Sequence, residues 1–442
     1  ARKGTAWPAC GVALALALLA SSGRFFTRPE LFTWLCLAGM MWALEALRRG
    51  RHGLFWVPAL LMVPWVNMHG AWPAGLALLG LTCAGETALV WAQGRPGLSR
   101  LPLAAGHEPL PSRTLRRLWT AFGLALAATL INPFGFHIWE VPFKLAGAPE
   151  IHRVIAEWHR PGLAHWLDPQ HVGAYVALAA CALGWRTLRP ADALVVLFFG
   201  ALSLTAVRHI AVALLITAPT VAAALAALGR EALVRAPRLE PARPWTVVAG
   251  VALLCALCVW LAMGLRFQRF GVRLDDRVYP LGAAAFLEGN ALDGNLFNSY
   301  TYGNYLLYAR YPRNLVFIDG RVDMYGTGPL QLYETVINAR PDWPAILARY
   351  DVDLCVIETA RPPEPPLLRA LHRSPEWALT YWDAVSAVYV RRSPRREAFL
   401  AQAYVYSGYP RDFDPALTES PERLQRAERD YRRRLTEDPA CV

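Results

Sequence analysis

Nine apolar runs fill most of the first 264 residues and are separated by polar gaps. A helix that crosses the hydrocarbon core of a bilayer takes about 20 predominantly apolar residues, with a range of about 17 to 25. The pattern therefore predicts an α-helical polytopic membrane domain of about nine transmembrane helices. The third, fifth and sixth runs are short and are expected to extend into their flanks or to be partly re-entrant. The nine runs lie at 6–22, 31–47, 54–67, 70–91, 118–131, 172–185, 191–207, 210–228 and 245–264.

The hydrophobic pattern changes after Arg266, where short apolar stretches alternate with amphipathic ones. Strands are expected in "GNLFNS", "NLVFIDG" and "VDLCVIET", with a closing pair formed by "WALTYWDA" and "SAVYVRR". Strands that alternate with helices at this spacing predict a small, mostly parallel sheet. Residues 266–395 are thus expected to form one small α/β domain after the transmembrane domain at 1–265.

The sequence of the tail at 396–442 predicts two helices, and we interpret the tail as a third segment. Its second helix, "PERLQRAERDYRRRLTEDP", ends in the A-x-x-x-Y-x-x-x-L-x-x-D-P spacing of a tetratricopeptide-type helix. One such helix is not a repeat, because several repeats are needed to bury a core. The tail is a candidate start of a tetratricopeptide-like array.

Composition supports a membrane protein, and the arginines orient it. The 442 residues are 55% hydrophobic and 18% charged, whereas soluble domains carry about 25% charged residues. The gaps after the second, fourth, sixth and eighth runs hold fourteen arginines, and the other gaps hold six lysine or arginine residues. The positive-inside rule places the arginine-rich gaps in the cytoplasm. With nine spans, everything after residue 265 then lies outside the cytoplasm.

The net charge of +11 is explained by these topology-setting arginines, so no nucleic-acid partner is expected. The lipid bilayer is the first expected partner, and other membrane protein subunits are a further candidate. Glu30, the one acid of the first outer gap, is expected to cap a helix.

Polar and aromatic residues collect in the gaps on the predicted outer side. The stretch "WVNMHGAW" places Asn67 and His69 in a tight turn between the third and fourth runs. The gap at 132–171 contains five histidines, including His159, together with acids and aromatics. A loop of this length is usually functional, and its Trp and Phe residues suggest helices along the membrane interface. Asn67, His69 and His159 are therefore candidate substrate-binding residues.

No cofactor motif is evident, and a divalent metal ion is the one cofactor left open. The histidines of the long gap lack the i, i+4 spacing of helical metal ligands. Amphipathic surface histidines are the favoured explanation for them. They are His137, His152, His159, His165 and His171.

Arg208 and His209 lie between two apolar runs at the predicted outer edge. Ionisable groups at such a position are costly unless they are paired or face a water-filled cavity. Two interpretations stay open. Arg208 either snorkels to the membrane surface or binds the phosphate of a lipid-linked substrate, since a guanidinium contacts phosphate oxygens bidentately.

Asp319 follows an apolar strand directly, in the run "FIDGRVD". Side chains at the carboxyl end of a parallel strand face the crevice where α/β domains bind ligands. Asp319 and Arg321 are therefore candidate substrate-binding residues, and a structural Asp-Arg pair is the alternative. Gly303, between tyrosines, would allow a close backbone approach.

Six stretches together are similar to a set found, in this order, in bacterial multi-spanning proteins that resemble GT-C glycosyltransferases. That superfamily includes oligosaccharyltransferases and protein mannosyltransferases. The stretch "SYTYGNYL" is loosely similar in placement to the W-W-D-Y-G motif of oligosaccharyltransferases, but it lacks the tryptophans and the aspartate. The six stretches are "RPELFTWLCL" at 28–37, "WVNMHG" at 65–70, "INPFG" at 131–135, "RHIAV" at 208–212, "YGNYL" at 302–306 and "FIDGRVDMY" at 317–325.

The resemblance implies a multi-pass protein of the bacterial cytoplasmic (inner) membrane with an outward-facing active site and an extracytoplasmic C-terminal domain. It implies transfer of a sugar from a polyprenyl-phosphate donor to an extracytoplasmic acceptor. The catalytic acid of GT-C enzymes lies in the first outer loop, and here it is expected upstream of Ala1, in a chain truncated at its N-terminus. No catalytic residue is assigned within 1–442. The alternative is a non-enzymatic membrane scaffold or an accessory subunit of a larger complex.

Overall fold

The computed structural model describes most of the chain as two compact units, Ala1–Phe270 and Gly271–Val442. The described residues are 7–21, 24, 29–100, 103–104, 106–162, 169–235, 256, 274–322, 326–359, 363–405 and 420–437.

The first unit is a bundle of helices, most of which follow the apolar runs of the sequence. Two short helices, α6 and α7, lie in the long gap between α5 and α8, together with short 3-10 turns. The helices are α1 (Trp7–Ser21), α2 (Glu30–Arg48), α3 (Val57–Met68), α4 (Pro73–Gln93), α5 (Ser112–Ala128), α6 (Glu140–Ala146), α7 (Pro149–Val154), α8 (Pro169–Leu183), α9 (Pro190–Ser203) and α10 (Val207–Arg235).

The bundle contains two packed groups of helices. Helices α2 to α5 surround one core that includes Met40, Trp65 and Leu79. Helices α1, α8, α9 and α10 surround a second core that is rich in alanine. Helices α4 and α9 join the groups, and Gly85 permits their close contact, since a Cβ there would lie 2.2 Å from the Cα of Ala191.

Three helices in the described part of the chain are long and apolar enough to cross a membrane: Glu30–Arg48, Pro73–Gln93 and Val207–Gly229. The structure therefore does not support the predicted count of nine spans. Helix α3 has only 12 residues, and the first two turns of α5 contain three arginines. The apolar helices α1, α8 and α9 are shorter than 18 residues. The predicted ninth run, 245–264, lies outside the described residues apart from Ala256.

A buried network of four charged side chains, the Glu86 network, holds together one end of the bundle. Its members are Arg48, Glu86, Arg189 and Asp192. The Glu86 carboxylate lies 2.9 Å from Arg48 Nη2 and 2.7 Å from Arg189 Nη2. Arg48 Nη1 lies 3.5 Å from Asp192 Oδ1. The network connects the end of α2 to α4 and to the beginning of α9.

The second unit contains a mixed five-stranded sheet with the order β2-β1-β3-β5-β4. Strand β1 is parallel to β2 and β3, whereas β5 is antiparallel to β3 and β4. The prediction of a mostly parallel sheet was therefore wrong in part, because β5 of the closing hairpin pairs with β3. The strands are β1 (Gly294–Asn298), β2 (Asn314–Val316), β3 (Val352–Glu358), β4 (Trp377–Trp382) and β5 (Ser386–Arg391).

Helices cover the sheet on both faces. Helices α11 and α12 pack on one face through Leu287 and Leu306, against Leu296 and Val388. On the other face, Tyr333 of α13 stacks on Phe297 of β1, with ring centroids 5.7 Å apart. The helices are α11 (Leu281–Gly289), α12 (Gly303–Arg310), α13 (Gly328–Ile337), α14 (Trp343–Arg349), α15 (Pro366–Arg373), α16 (Glu397–Leu400) and α17 (Pro421–Glu437).

The tail helix α17 packs against the edge of this sheet. The guanidinium of Arg434 is nearly buried and lies 4.9 Å from the ring centroid of Tyr381 and 5.9 Å from that of Trp382. The Val405 amide donates to Asp430 at 2.8 Å. The structure thus groups the predicted third segment with the α/β unit.

Candidate functional site

Four charged side chains from separate segments meet at the end of the bundle opposite the Glu86 network. They are Arg24, Glu30, Glu157 and Arg208, and they form what we call the Arg208 cluster. Arg24 follows α1, Glu30 is the first residue of α2, Glu157 lies in the 3-10 turn Ala156–Trp158, and Arg208 is the second residue of α10. Each member lies at or next to an element end, where a charged side chain reaches past the apolar helix surface.

Arg24 is the fixed centre of the cluster. Its Nε lies 2.9 Å from Glu30 Oε2, and its Nη1 donates to Glu157. Burial lowers the pKa of Arg24, but the two carboxylates raise it above its ordinary value overall. Arg24 is therefore a permanent cation, and Glu30 contributes to an ion pair at the first turn of its helix.

Arg208 is more exposed than Arg24, and its contact with Glu157 is longer. Its Nη1 lies 3.6 Å from Glu157 Oε1, and its side chain is 22% exposed, compared with 10% for Arg24. The guanidinium carbon lies 4.5 Å from the ring centroid of Trp158, a cation–π contact that orients the guanidinium plane. Arg208 also lies in the first turn of α10, where the positive end of the helix dipole favours anions.

His69 lies within the electrostatic reach of the cluster. Its Nδ1 is 2.8 Å from the hydroxyl of Thr33, which also accepts a hydrogen bond from Trp65. Burial and the charge of Arg208 lower the pKa of His69 below its ordinary value. His69 is therefore a neutral imidazole at pH 7, positioned by α2 and α3.

His209 lies beside the 3-10 turn that carries Glu157 and Trp158. Its ring makes an edge contact with Trp158, with centroids 5.9 Å apart, and its Nδ1 lies 2.9 Å from Thr205 Oγ1. The structure thus brings Arg208, His69 and His209 around the segment that carries Glu157 and Trp158.

Asn67 and His159, two further predicted site residues, have contacts of a more structural kind. The amide of Asn67 donates to the carbonyls of Val63 and Ile131, at 2.7 and 2.8 Å, and so connects the ends of α3 and α5. The backbone carbonyl of His159 accepts from the Val207 amide at 3.0 Å, and its exposed ring lies 3.3 Å from the Arg153 carbonyl.

The histidines of the long gap do not come together as a metal site in the described part of the chain, where no three His, Cys, Asp or Glu side chains are grouped to hold an ion. His137 instead pairs with Glu140 at 2.7 Å. His165 and the side chain of His152 lie outside the described residues. The described side chains of this loop instead form ion pairs and ring contacts.

Asp319 and Arg321 form a pair within one loop of the second unit. The guanidinium contacts both carboxylate oxygens, with Nη2 to Oδ2 at 2.6 Å and Nε to Oδ1 at 3.0 Å. Burial raises the pKa of Asp319, but the hydrogen bonds and charge of Arg321 lower it overall. The carboxylate is buried, and the arginine is about half exposed. This geometry corresponds to the structural alternative, with Arg321 still accessible to solvent.

The segment at 302–306 packs on the residues around Asp319. A Cβ at Gly303 would lie 2.0 Å from the Ile318 carbonyl oxygen, so the predicted close backbone approach is present. Asn304 accepts a hydrogen bond from the Gly320 amide at 3.1 Å. The buried Asn298 donates to the Ile318 carbonyl and accepts from the Phe317 amide, at 2.8 and 3.0 Å.

Nothing in the sequence pattern singled out Arg24 and Glu157 as site residues. One general rule could have indicated them, which is that charged side chains next to apolar spans need partners. Their pairing joins positions 133 residues apart, which no local spacing indicates.

No protein-family model matches the chain. No curated protein matches it either. The class of the protein rests on its fold. The described residues form a largely helical unit with three helices long and apolar enough to span a membrane and a separate mixed α/β unit.

Proposed function

We propose that the chain is a GT-C-like membrane glycosyltransferase that binds a polyprenyl-phosphate-linked sugar at Arg208 and transfers the sugar to an extracytoplasmic acceptor. The observation that carries the proposal is the state of Arg208. It is stacked on Trp158 and loosely paired with Glu157, in the first turn of a 29-residue helix.

A phosphate group suits this arrangement because it can replace a weak partner. Glu157 is already bound to Arg24, so a phosphate that takes its place at Arg208 leaves no carboxylate without a counter-charge. The phosphate oxygens would accept from the guanidinium edge, next to the positive end of the α10 dipole. The neutral His69 lies near this position without adding a charge, and His209 lies on the other side of Trp158. The polyprenyl chain would lie along the apolar helix surface, and no catalytic residue is assigned.

The proposal includes a topology in which the Arg208 cluster and the α/β unit are extracytoplasmic. Glu30 and Arg48, at opposite ends of α2, are separated by a rise of about 27 Å. That rise is close to the hydrocarbon thickness of about 30 Å, which supports placing the two charged networks at opposite membrane surfaces. The inner-membrane location in a bacterium is part of this proposal.

The topology can be tested with a cysteine at the exposed residue Glu288. In intact spheroplasts, Glu288→Cys should react with an impermeant thiol reagent, whereas the unmodified protein supplies the background. Labelling that requires lysis would place the α/β unit in the cytoplasm and would remove the outward-facing site.

Donor binding is tested with a labelled polyprenyl-phosphate sugar and purified protein in detergent. Arg208→Lys keeps the charge and loses the bidentate geometry, so binding should weaken, and Arg208→Ala should weaken it further. A charged hydrogen bond contributes about 1.5–3 kcal/mol, which corresponds to a loss of about 10-fold to 150-fold. Arg160→Lys, at an exposed arginine of the same loop region, is the matched control and should bind as the wild type does.

Glu157→Gln separates phosphate binding from a purely structural role of the cluster. Removal of the competing carboxylate should leave donor binding at least as tight as in the wild type. If wild type, Arg208→Lys and Arg208→Ala all bind equally, Arg208 is a snorkelling residue and the proposal fails.

A membrane scaffold or accessory subunit is the second candidate, and the internal pairing of Asp319 with Arg321 favours it for the α/β unit. A carboxylate that already holds an arginine of its own loop through both oxygens is less available to a substrate. Absence of saturable donor binding by the wild type, together with co-purification of other membrane protein subunits, would support this candidate.

A further inference from the structure

A group of arginines at the bundle end that carries the Glu86 network has no carboxylate partner among the residues that the structure describes. Helix α5 begins at this end, where Thr114 contacts His52 at 2.9 Å, just beyond α2. Arg113, Arg116 and Arg117 lie in its first two turns and make no ion pair with a described residue. By contrast, Arg49 at the same end pairs with Glu45 at 2.9 Å.

These three arginines are placed where a helix does not favour them. The first turn of α5 contains no acidic residue, and the helix N-terminus carries partial positive charge. Arg113 and Arg117 are four residues apart and therefore neighbours on one face, where like charges repel. The Glu86 network cannot offset this charge, because its two acids are already matched by Arg48 and Arg189.

One aromatic ring contacts these arginines, and two exposed tryptophans lie at the same end of the bundle. The guanidinium carbon of Arg117 lies 4.4 Å from the ring centroid of Phe55. Trp56 and Trp119 are 48% and 42% exposed. Exposed tryptophans mark the headgroup level of a bilayer, so the arginines lie beside lipid headgroups when α2 and α4 span the membrane.

We propose that the start of α5 and the segment Phe55–Trp56 form a binding site for the headgroup of an anionic phospholipid, with phosphatidylglycerol as its ligand. The phosphodiester would accept hydrogen bonds from Arg113 and Arg117, while Phe55 holds the plane of Arg117. Trp56 would contact the glycerol and the upper acyl chains.

The charge of the site selects an anionic lipid over a zwitterionic one. A phosphatidylcholine headgroup carries a quaternary ammonium, which three uncompensated arginines repel. Phosphatidylglycerol offers the same phosphodiester without that cation. A free phosphate ion would bind the same arginines but would make no contact with the exposed Trp56, so the acyl chains distinguish a lipid from a free ion.

The test is a titration of the purified full chain in neutral detergent, with native mass spectrometry to count bound lipids. Phosphatidylglycerol and phosphatidylcholine with identical acyl chains are compared at low and at physiological ionic strength. The wild type should prefer phosphatidylglycerol at least fivefold, and the preference should fall with added salt. The double variant Arg113→Gln/Arg117→Gln should bind phosphatidylglycerol about 30-fold more weakly.

Two controls keep the result interpretable. Arg49→Gln removes a paired arginine from the same end and should leave the lipid preference within twofold of the wild type. Arg113→Lys/Arg117→Lys keeps both charges and should retain most of the preference for phosphatidylglycerol. This variant keeps the proposal testable if the glutamine variant does not fold.

Equal binding of the two lipids by the wild type, or an unchanged preference in the glutamine variant, would overturn the proposal. Displacement of the lipid by an equal concentration of inorganic phosphate would also overturn it, because the site would then be one for a free anion. Arg208 lies at the other end of the bundle, so this test and the donor-binding test fail independently.

Discussion

Replacement of Gly303 by alanine should destabilise the α/β unit, because the new methyl group has no space. A Cβ at this position lies 2.0 Å from the Ile318 carbonyl oxygen and 2.7 Å from the Asp319 Cα. Both obstacles are backbone atoms, so no side-chain rotation relieves the contact. The start of α12 and the loop after β2 must move apart, which also strains the bond between Asn304 and Gly320.

The magnitude follows from two opposing effects. Overpacking a well-packed site costs about 1–3 kcal/mol, whereas a Gly→Ala change gains about 0.4–1 kcal/mol by restricting the unfolded chain. The contact with backbone favours the upper part of the first range, so we expect a net loss of about 2 kcal/mol. Gly289→Ala is the matched control, since no atom lies within 4 Å of its Cβ, and it should be neutral or slightly stabilising.

Hydrogen exchange of the full chain, followed by mass spectrometry, measures this loss of stability without separating the α/β unit from the bundle. Amides of β3 (Val352–Glu358) lie in the centre of the sheet and report opening of the whole unit. In Gly303→Ala they should exchange about 30-fold faster, which is the equivalent of about 2 kcal/mol. Exchange within threefold of the wild type, or an equal effect of Gly289→Ala, would refute the steric argument.

Two further predictions concern charged groups. Glu86→Gln should destabilise the bundle by about 3 kcal/mol, because two partly buried arginines lose their shared, fully buried carboxylate, whereas Glu45→Gln, at an exposed pair, should cost at most about 1 kcal/mol; thermal unfolding in detergent compares them, and equal losses would contradict the burial argument. The pKa of Asp319 is lowered in the folded state, so its stabilising effect is present above the unfolded pKa of about 3.9 and is lost as the pH falls through the folded value. The stability difference between wild type and Asp319→Asn, measured by hydrogen exchange between pH 7 and pH 3, should therefore shrink in acid, and a constant difference would show that the charge contributes nothing.

The helices and strands were largely predictable because they depend on local pattern. Helix α2 (Glu30–Arg48) follows the apolar run 31–47 closely, since apolar residues without Pro or Gly clusters fix its extent. Strand β3 (Val352–Glu358) corresponds to the apolar stretch "VDLCVIET". A run of seven buried or half-buried residues next to a turn is a sufficient signal for a strand.

The partners of these elements were much less predictable. Strand β5 lies between β3 and β4 in the sheet, and no residue in "SAVYVRR" indicates that it pairs with β3. The same is true of the site, where Arg208 was predicted from its position in an apolar stretch. Its counter-charge Glu157 belongs to a different segment of the chain. Pairings of this kind depend on the tertiary packing, which local spacing does not specify.

The charge asymmetry of the bundle arises from side chains outside its two partly buried networks. The Arg208 cluster and the Glu86 network each contain two arginines and two acids, so each is close to neutral. Burial of an ion pair requires such matching, because an unmatched charge in a low-dielectric site is costly. The surplus arginines must therefore lie on the surface, as those of α5 do. It follows that the three sets of charged residues act separately: variants of Glu86 should change stability, variants of Arg208 should change donor binding, and variants of Arg113 and Arg117 should change lipid preference.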